Sequence, residues 1–352
     1  MKIQDCIDAG TEYCPCYLAE TGECIMCSQL QGKVFCDCIN WKGVCIYQEY
    51  IWNHSRNKDN RQGEYCRILA KNNVPPTVTL LKIEVPKTLA RELNQPGAYV
   101  FLRTAQDTAY FDMPISVMRA DERAGTIEVA IQEKGIKTKY LRLGEAVDTA
   151  DTADTADTVE SAELAEAAGK SEQGIFLRGP YWNGVLGLKY LKSFQKGKAL
   201  MIVRGIGQAP ALAVAKKLLQ GGNEVEVVLD EGWIKADLTM KLFQELGCSV
   251  LKKEALDLAK LTLTEEISAY IKESLLHQGV ELIYSGGSEL LHQGIARIIQ
   301  EVRPEVSLVC SNNAQICCGE GICGSCQTRL ADGSRVRRCK SQLDPIEIFG
   351  GR

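Results

Sequence analysis

The sixteen cysteines of this 352-residue chain are gathered at its two ends. Nine lie between residues 6 and 66 and six between 310 and 339, with Cys248 alone in the long stretch between. In a reducing compartment, clustered thiols are more often metal ligands or redox centres than disulfides. Histidine is scarce, only His54, His277 and His292, so ligation falls to thiolates.

The remaining composition is that of an ordinary globular protein, 45% hydrophobic and 24% charged, with a net charge of −4. That balance argues against nucleic acid as a partner, because such footprints are basic and patchy. Apolar runs such as "KALMIVRGIG" are too short to cross a bilayer. The start, "MKIQDCIDAG", lacks the apolar stretch and cleavage site of a signal peptide. The expectation is a cytoplasmic protein with no membrane partner.

Four segments follow from pattern. Residues 1–72 form a cysteine-rich module with little periodicity and too small a core, so bound metal has to stabilise it. Residues 73–184 carry short β-like runs, "TVTLLKIEV", "AYVFLR", "MPISVM" and "TIEVAIQEKG", which predict an antiparallel barrel. An acidic period-three repeat at 146–174 interrupts them and reads as a disordered surface insertion. Residues 185–307 alternate strand and helix patterns, which predicts an α/β domain built on a parallel sheet. Residues 308–352 hold the second cysteine cluster.

In that cluster Cys318, Cys323, Cys326 and Cys339 are spaced C-x4-C-x2-C-x12-C. This is the plant-type 2Fe–2S arrangement, three thiolates from one tight loop and a fourth from farther on. Gly319, Gly321 and Gly324 fall between the ligands, where the backbone has to wrap closely around inorganic sulfide. The alternative, a four-cysteine zinc site, more often pairs two short C-x2-4-C units. Cys317 reads as a buried thiol behind the ligands, and Cys310 as a spare.

The N-terminal module places Cys14, Cys16, Cys24, Cys27, Cys36, Cys38 and Cys45 within 32 residues, with Cys6 before them and Cys66 after. These thiols predict at least one four-thiolate site, and eight or nine of them suffice for two. The metal stays open between structural zinc and a 4Fe–4S relay. Trp41, Tyr47, Tyr50 and Trp52 read as a mini-core or a docking surface.

A barrel, an α/β domain and a C-terminal 2Fe–2S loop, in that order over residues 74–345, resemble the electron-transfer subunit of dihydroorotate dehydrogenase. The same layout occurs in sulfide dehydrogenase and in the small subunit of NADH-dependent ferredoxin:NADP oxidoreductase, all of the ferredoxin–NADP reductase superfamily. The resemblance implies FAD on "MPIS", with Pro114, Ile115 and Ser116 matching the family strand and Met113 standing in place of its arginine. Ser116 is the implied flavin contact. It also implies a pyrophosphate turn at Gly135 and Thr138 of "GIKTKYL", where Lys137 or Lys139 replaces the missing charge and Leu141 completes the match. "GPYWNG", residues 179–184, resembles the family's inter-domain turn, with Trp182 in place of a glycine. For NAD(P)H it implies Gly205, Gly207, Ala209 and Pro210 of "RGIGQAP", with Arg204 in place of the first glycine. Asp230 is the candidate for a ribose hydroxyl. Gly286 and Gly287 belong to the strand end beside the nicotinamide, where Ser285 replaces the family's cysteine. The expected function is an electron-transfer subunit passing electrons between NAD(P)H, FAD and the cluster, and to or from a catalytic flavoprotein subunit. The alternative is an Fe–S or zinc docking or assembly subunit that binds neither nucleotide nor flavin.

Overall fold

The computed structural model describes residues 5–351, apart from 37, 39, 40, 60, 105–107, 136 and 139–173. The acidic insertion expected at 146–174 therefore lies outside the described residues except for Gly174, as do Lys139 and Leu141.

The N-terminal module has little regular structure: a two-residue strand β1 (Asp5–Cys6) and the short helices α1 (Tyr17–Glu20) and α2 (Ile46–Trp52). A barrel follows, built from β2 (Gly63–Val74), β3 (Val78–Glu84), β4 (Tyr99–Thr104), β5 (Met113–Asp121), β6 (Thr126–Gln132) and β7 (Gly174–Tyr181), with helix α3 (Lys87–Leu93) after β3. It closes in the order β2-β3-β6-β5-β4-β7, every pair antiparallel. Period-two alternation fills it. Ile127, Val129 and Ile131 of β6 and Val100 and Leu102 of β4 point into one core. The barrel begins at Gly63, ahead of the boundary read at residue 73, because Cys66 and Ile68 already face that core. Cys66 is thus a barrel residue, apart from the other N-terminal thiols.

Strand β8 (Val185–Leu186) and α4 (Leu188–Ser193) lead into the α/β domain. Its elements are β9 (Lys198–Arg204), α5 (Gln208–Gln220), β10 (Glu224–Asp230), α6 (Met240–Leu246), β11 (Ser249–Lys252), the hairpin β12 (Leu256–Asp257) and β13 (Thr262–Leu263), α7 (Glu265–Leu276), β14 (Val280–Gly286), α8 (Glu289–Val302) and β15 (Ser307–Ser311). The sheet runs β11-β10-β9-β14-β15-β8, parallel except for β8 at the edge. Ala199 to Val203 of β9 are fully buried, as a strand covered on both faces requires. The C-terminal segment adds β16 (Gln327–Arg329), β17 (Arg335–Arg337), β18 (Ser341–Gln342) and α9 (Pro345–Phe349). Among the described residues, no helix is long and apolar enough to cross a membrane.

The two ends of the chain meet. β1 pairs antiparallel with β18, Cys6 opposite Ser341. Behind that pairing lie four buried charges. Arg61 donates to Asp8 at 2.7 Å and to Glu320 at 3.0 Å. Lys340 donates to Glu320 at 2.9 Å and also to Asp8. The cations hold both carboxyls below their ordinary pKa against the opposing effect of burial, which is the larger single influence. Arg61→Met would leave two buried carboxylates on one lysine. Breaking such a pair costs about 3–5 kcal/mol. We expect a loss of that order in urea unfolding; a loss under about 1 kcal/mol would show that the network does not hold the ends together.

Candidate functional site

The C-terminal cysteine loop packs on an aromatic face of the barrel. Tyr99, Phe101 and Tyr181 form one buried cluster with Cys326, Cys339 and Ile316. Gly319, Gly321 and Gly324 all take φ between 73° and 76°, and a Cβ at Gly319 would stand 2.6 Å from the Tyr181 ring. A side chain at 319 would push the loop off that face, so the sequence spends glycine there. The thiols converge. Cys318, Cys326 and Cys339 influence one another, which lowers the pKa of Cys318 and Cys326 and raises that of Cys339. The Glu320 amide donates to Cys318 Sγ at 3.3 Å. Cys323 is exposed, its Sγ 3.2 Å from Ser325 Oγ. Cys317, expected to be buried, is exposed; Cys310 lies in the α/β core. Among the described residues, no group of three or more Cys, His, Asp or Glu side chains is arranged to hold a single metal ion. One further atom bears on a cluster. The Tyr99 hydroxyl is buried without a hydrogen-bond partner, and the Cys339 thiol is among the groups that raise its pKa, behind burial itself. An orphan donor beside a sulfur ligand fits a sulfide-bearing group.

The strand implied for FAD lies next to this face. Tyr99 pairs with Ser116 and Phe101 with Pro114 across β4 and β5. Opposed residues of an antiparallel pair share a face, so Pro114 and Ser116 stand on the same side as the aromatics that carry Cys326 and Cys339. Ile115 points the other way and packs against the barrel core. Where the resemblance led to an arginine, Met113 is buried. Two cations reach the same spot from neighbouring strands. Arg103 and Arg178 both bind Asp112, at 2.8 and 3.1 Å, and Arg178 also donates to the Cys318 carbonyl. At the second implied turn the Thr138 hydroxyl accepts from the amides of Lys134 and Gly135 at 3.0 Å each. Gly135 faces open space. Lys137 bonds the Tyr110 carbonyl, just ahead of β5, and bears electrostatically on Cys317. The turn, the strand and the cysteine loop are therefore neighbours.

The glycines implied for a nucleotide also come together. Gly205 and Gly207 end β9; Gly286 and Gly287 end β14 beside it. A Cβ at Gly207 would lie 2.4 Å from the Gly286 carbonyl oxygen. The N-terminus of α5 has no side-chain cap and follows directly on the Gly205–Gly207 turn, whose carbonyls accept from the amides that join it to the helix. Ala209 and Pro210 are buried in its first turn. Arg204 is bound instead to Asp230, Nε to Oδ2 at 2.8 Å. The Asp230 carboxylate also accepts from the amides of Gly232 and Ala255 at 2.8 and 2.9 Å. The residue read as a ribose contact is thus fully engaged by its own chain.

The N-terminal thiols divide by depth. Cys14, Cys24 and Cys27 pack with Leu30 and Ile46 in a small core, while Cys36 and Cys38 are exposed with their sulfurs 3.5 Å apart. Cys16 and Cys45 are half-buried. Tyr50 joins the small core; Trp41, Tyr47 and Trp52 stay exposed.

Pattern reading missed one constellation. His292 of α8 is fully buried, with Ser285 Oγ 2.7 Å from Nδ1 and Asn313 Nδ2 3.1 Å from Nε2. A serine and a histidine seven apart carry no linear motif; only the strand–helix return of β14 and α8 joins them.

No family model and no curated protein matches this chain. Among solved structures it is similar to an NADH-dependent reduced ferredoxin-NADP oxidoreductase described for flavin-based electron bifurcation, at 16% identity and a TM-score of 0.57, over 83% of this chain and 90% of that one. A ferredoxin reductase in carbazole 1,9a-dioxygenase matches at 15% identity and TM-score 0.47, over 71% of this chain and 69% of the other. A ferredoxin-NADP+ reductase from Plasmodium falciparum matches at 13% and 0.43, over 70% and 95%. The fold is that of ferredoxin–NADP reductase-like proteins. At these identities the likeness speaks for the fold alone.

Two outcomes are expected. Burial, with Arg338 nearby, lowers the His292 pKa from 6.5 to about 3. The folded chain then binds fewer protons than the unfolded one between those values, so this contribution to stability is lost as pH falls from 6.5 towards 3. His292→Gln should flatten the acid limb of a Tm-against-pH curve; an unchanged slope from pH 7 to 4 refutes the assignment. Gly207→Ala should cost about 1–3 kcal/mol, as other overpacked sites do, read by thermal unfolding.

Proposed function

We propose that the chain is the electron-transfer subunit of an oxidoreductase complex, of the kind found in dihydroorotate and sulfide dehydrogenases. It carries a 2Fe–2S cluster on Cys318, Cys323, Cys326 and Cys339 and FAD along Pro114–Ser116 and Gly135–Thr138. NAD(P)H docks where Gly205–Pro210 meets Gly286 and Gly287. Electrons pass to or from a partner catalytic subunit. The observation that carries this reading is the register of β4 against β5, which sets Ser116 and Pro114 on the face that holds Cys326 and Cys339. Adjacent strands are about 4.8 Å apart, so a group lying on β5 is close to one held by the loop. A bound flavin would supply the chemistry of taking one hydride, with its two electrons, and releasing those electrons singly, as a 2Fe–2S centre requires. The chain's residues supply placement and charge. Tyr99, Phe101 and Tyr181 exclude water from one side of the loop. The Glu320 amide donates to Cys318 sulfur, the Tyr99 hydroxyl is buried and unpartnered in the cluster that holds Cys339, and Arg103 and Arg178 offset negative charge at Asp112. Exposed Phe35, Trp41 and Trp52 offer a partner an apolar face.

The Arg204–Asp230 pair supports a second reading, a docking subunit without pyridine nucleotide. Its guanidinium lies against Gly232, at the strand ends where a nucleotide would sit.

The test is iron, sulfide, zinc and flavin per chain in anaerobically purified protein, with electron paramagnetic resonance of the reduced sample. A 2Fe–2S signal that Cys339→Ala abolishes, together with bound FAD, is expected. A 2Fe–2S signal without flavin, even after incubation with FAD, selects the docking subunit. Absence of the signal from native protein overturns both. Tyr99→Phe removes the unpartnered hydroxyl beside Cys339; if that hydroxyl donates to the bound cluster, the midpoint in a redox titration should fall.

A further inference from the structure

The N-terminal thiols do not form one pool. One cavity of the module is lined by Cys6, Cys14, Cys16 and Cys24, closed by apolar side chains such as Leu18 and Ile46. Cys6, Cys14 and Cys24 are buried and Cys16 is half-buried. Cys36, Cys38 and Cys45 do not line this cavity; Cys38 is instead influenced by Cys36, Cys45 and Cys27. The inner group joins residues up to 18 apart, and its spacing, C-x7-C-x-C-x7-C, has no pair of short C-x2-4-C units of the kind that marks a zinc knuckle.

Its surroundings tie it to the other end of the chain. Cys6 sits in β1 opposite Ser341, two residues along the chain from Cys339, which lies in the turn before β18. The Leu18 side chain meets Gly321 of the C-terminal loop; a Cβ there would stand 3.1 Å from it. Lys340, directly after Cys339, bears electrostatically on both Cys6 and Cys16. Asp8 also lines the cavity, but its carboxylate is engaged by Arg61 and Lys340. What faces the cavity is therefore four thiols and apolar walls, with the neutral Asp8–Arg61–Glu320–Lys340 group beside it.

We propose that Cys6, Cys14, Cys16 and Cys24 ligate a 4Fe–4S cluster, a second centre adjoining the C-terminal one. Four thiolates on a 4Fe–4S core carry a net negative charge, towards which Lys340 is attractive and Asp8 repulsive. In transfer, one electron leaves the reduced C-terminal centre, which is oxidised, and enters this one, which is reduced; no bond is made or broken. The role as a relay rests on the electron-transfer reading above, whereas the ligand set does not.

The experiment uses the full chain, purified without oxygen. Cys6→Ala and Cys16→Ala should each lose about four irons per chain, with the 2Fe–2S signal of the C-terminal centre retained as proof of folding. Cys45→Ala should keep those irons. Should the alanine variants fail to fold, differential alkylation of the native chain answers the same question. Cys6, Cys14, Cys16 and Cys24 should be protected until iron is stripped by chelator and then react together. Full iron content in Cys6→Ala, or alkylation of Cys6 before stripping, overturns the ligand set. Loss of zinc in place of iron overturns the cluster and leaves a structural site. Loss of the 2Fe–2S signal from the native chain would instead fail the electron-transfer reading, and iron protected by the four N-terminal thiols would still stand.

Discussion

Two anions and two cations buried together hold the ends of this chain in register. Asp8 and Arg61 come from the N-terminal side, Glu320 and Lys340 from the C-terminal cysteine segment, and none reaches water to any extent. Each cation touches both carboxylates, so the group is neutral and every charge has two partners. The Arg61 guanidinium also lies 3.9 Å from the centre of the Tyr13 ring and 4.4 Å from that of Tyr181. Such a group adds little net stability over apolar residues, because desolvation offsets the attraction. It does make any other docking of the two ends expensive, since each would leave a buried charge unpaired. The β1–β18 pairing and the Leu18 contact at Gly321 follow from that constraint.

The same segment is fixed to the rest of the molecule by hydrogen bonds to one turn. Asn183 of "GPYWNG" is fully buried. It donates to the carbonyls of Arg338 and Ser341 and accepts from Gln342. Asn312, at the end of the parallel sheet, donates to the Asn183 and Arg338 carbonyls at 2.7 and 2.8 Å. The turn between barrel and sheet is thus also the seat of the residues flanking Cys339. Barrel, sheet and cysteine loop converge on one amide side chain, so small displacements of either layer are transmitted to the loop.

Much of this was legible in the sequence because it is local. The alternation in "TIEVAIQ" and the unbroken apolar run in "ALMIV" specify a barrel strand and a buried parallel strand by period alone. The C-x4-C-x2-C-x12-C spacing marks a loop whose glycines Gly319, Gly321 and Gly324 all take positive φ, a backbone that only local sequence specifies. Non-local relations were out of reach. Arg61 and Glu320 are 259 positions apart, and neither looks different from a surface charge until β1 and β18 meet. Cys66 sat in the same cysteine-rich stretch as its neighbours, yet it belongs to the barrel, because strand β2 starts within what reads as irregular chain. Asp230 ended its strand where a ribose contact belongs, but the substitution at Arg204 supplied a partner that no spacing rule anticipates.

The departures from the family motifs share a physical theme. Met113 takes away an arginine, while Arg103 and Arg178 bring two guanidinium groups to Asp112 directly before it. Arg204 adds a charge where a glycine stood, and Asp230 neutralises it. At both places charge is redistributed among neighbouring strands, with the net balance of the site little altered. At the flavin strand the relocated cations also reach the cysteine loop through the Cys318 carbonyl, so one arginine there serves two sites. At the nucleotide loops the relocated cation is consumed by its partner. The first change is compatible with a bound anion beside β5; if Asp230 were to hold the ribose of the NAD(P)H proposed above, Arg204 would first have to leave it. On the function proposed above, the ease of breaking that one ion pair would set the difference between a relay that accepts NAD(P)H and one fed only by its partner.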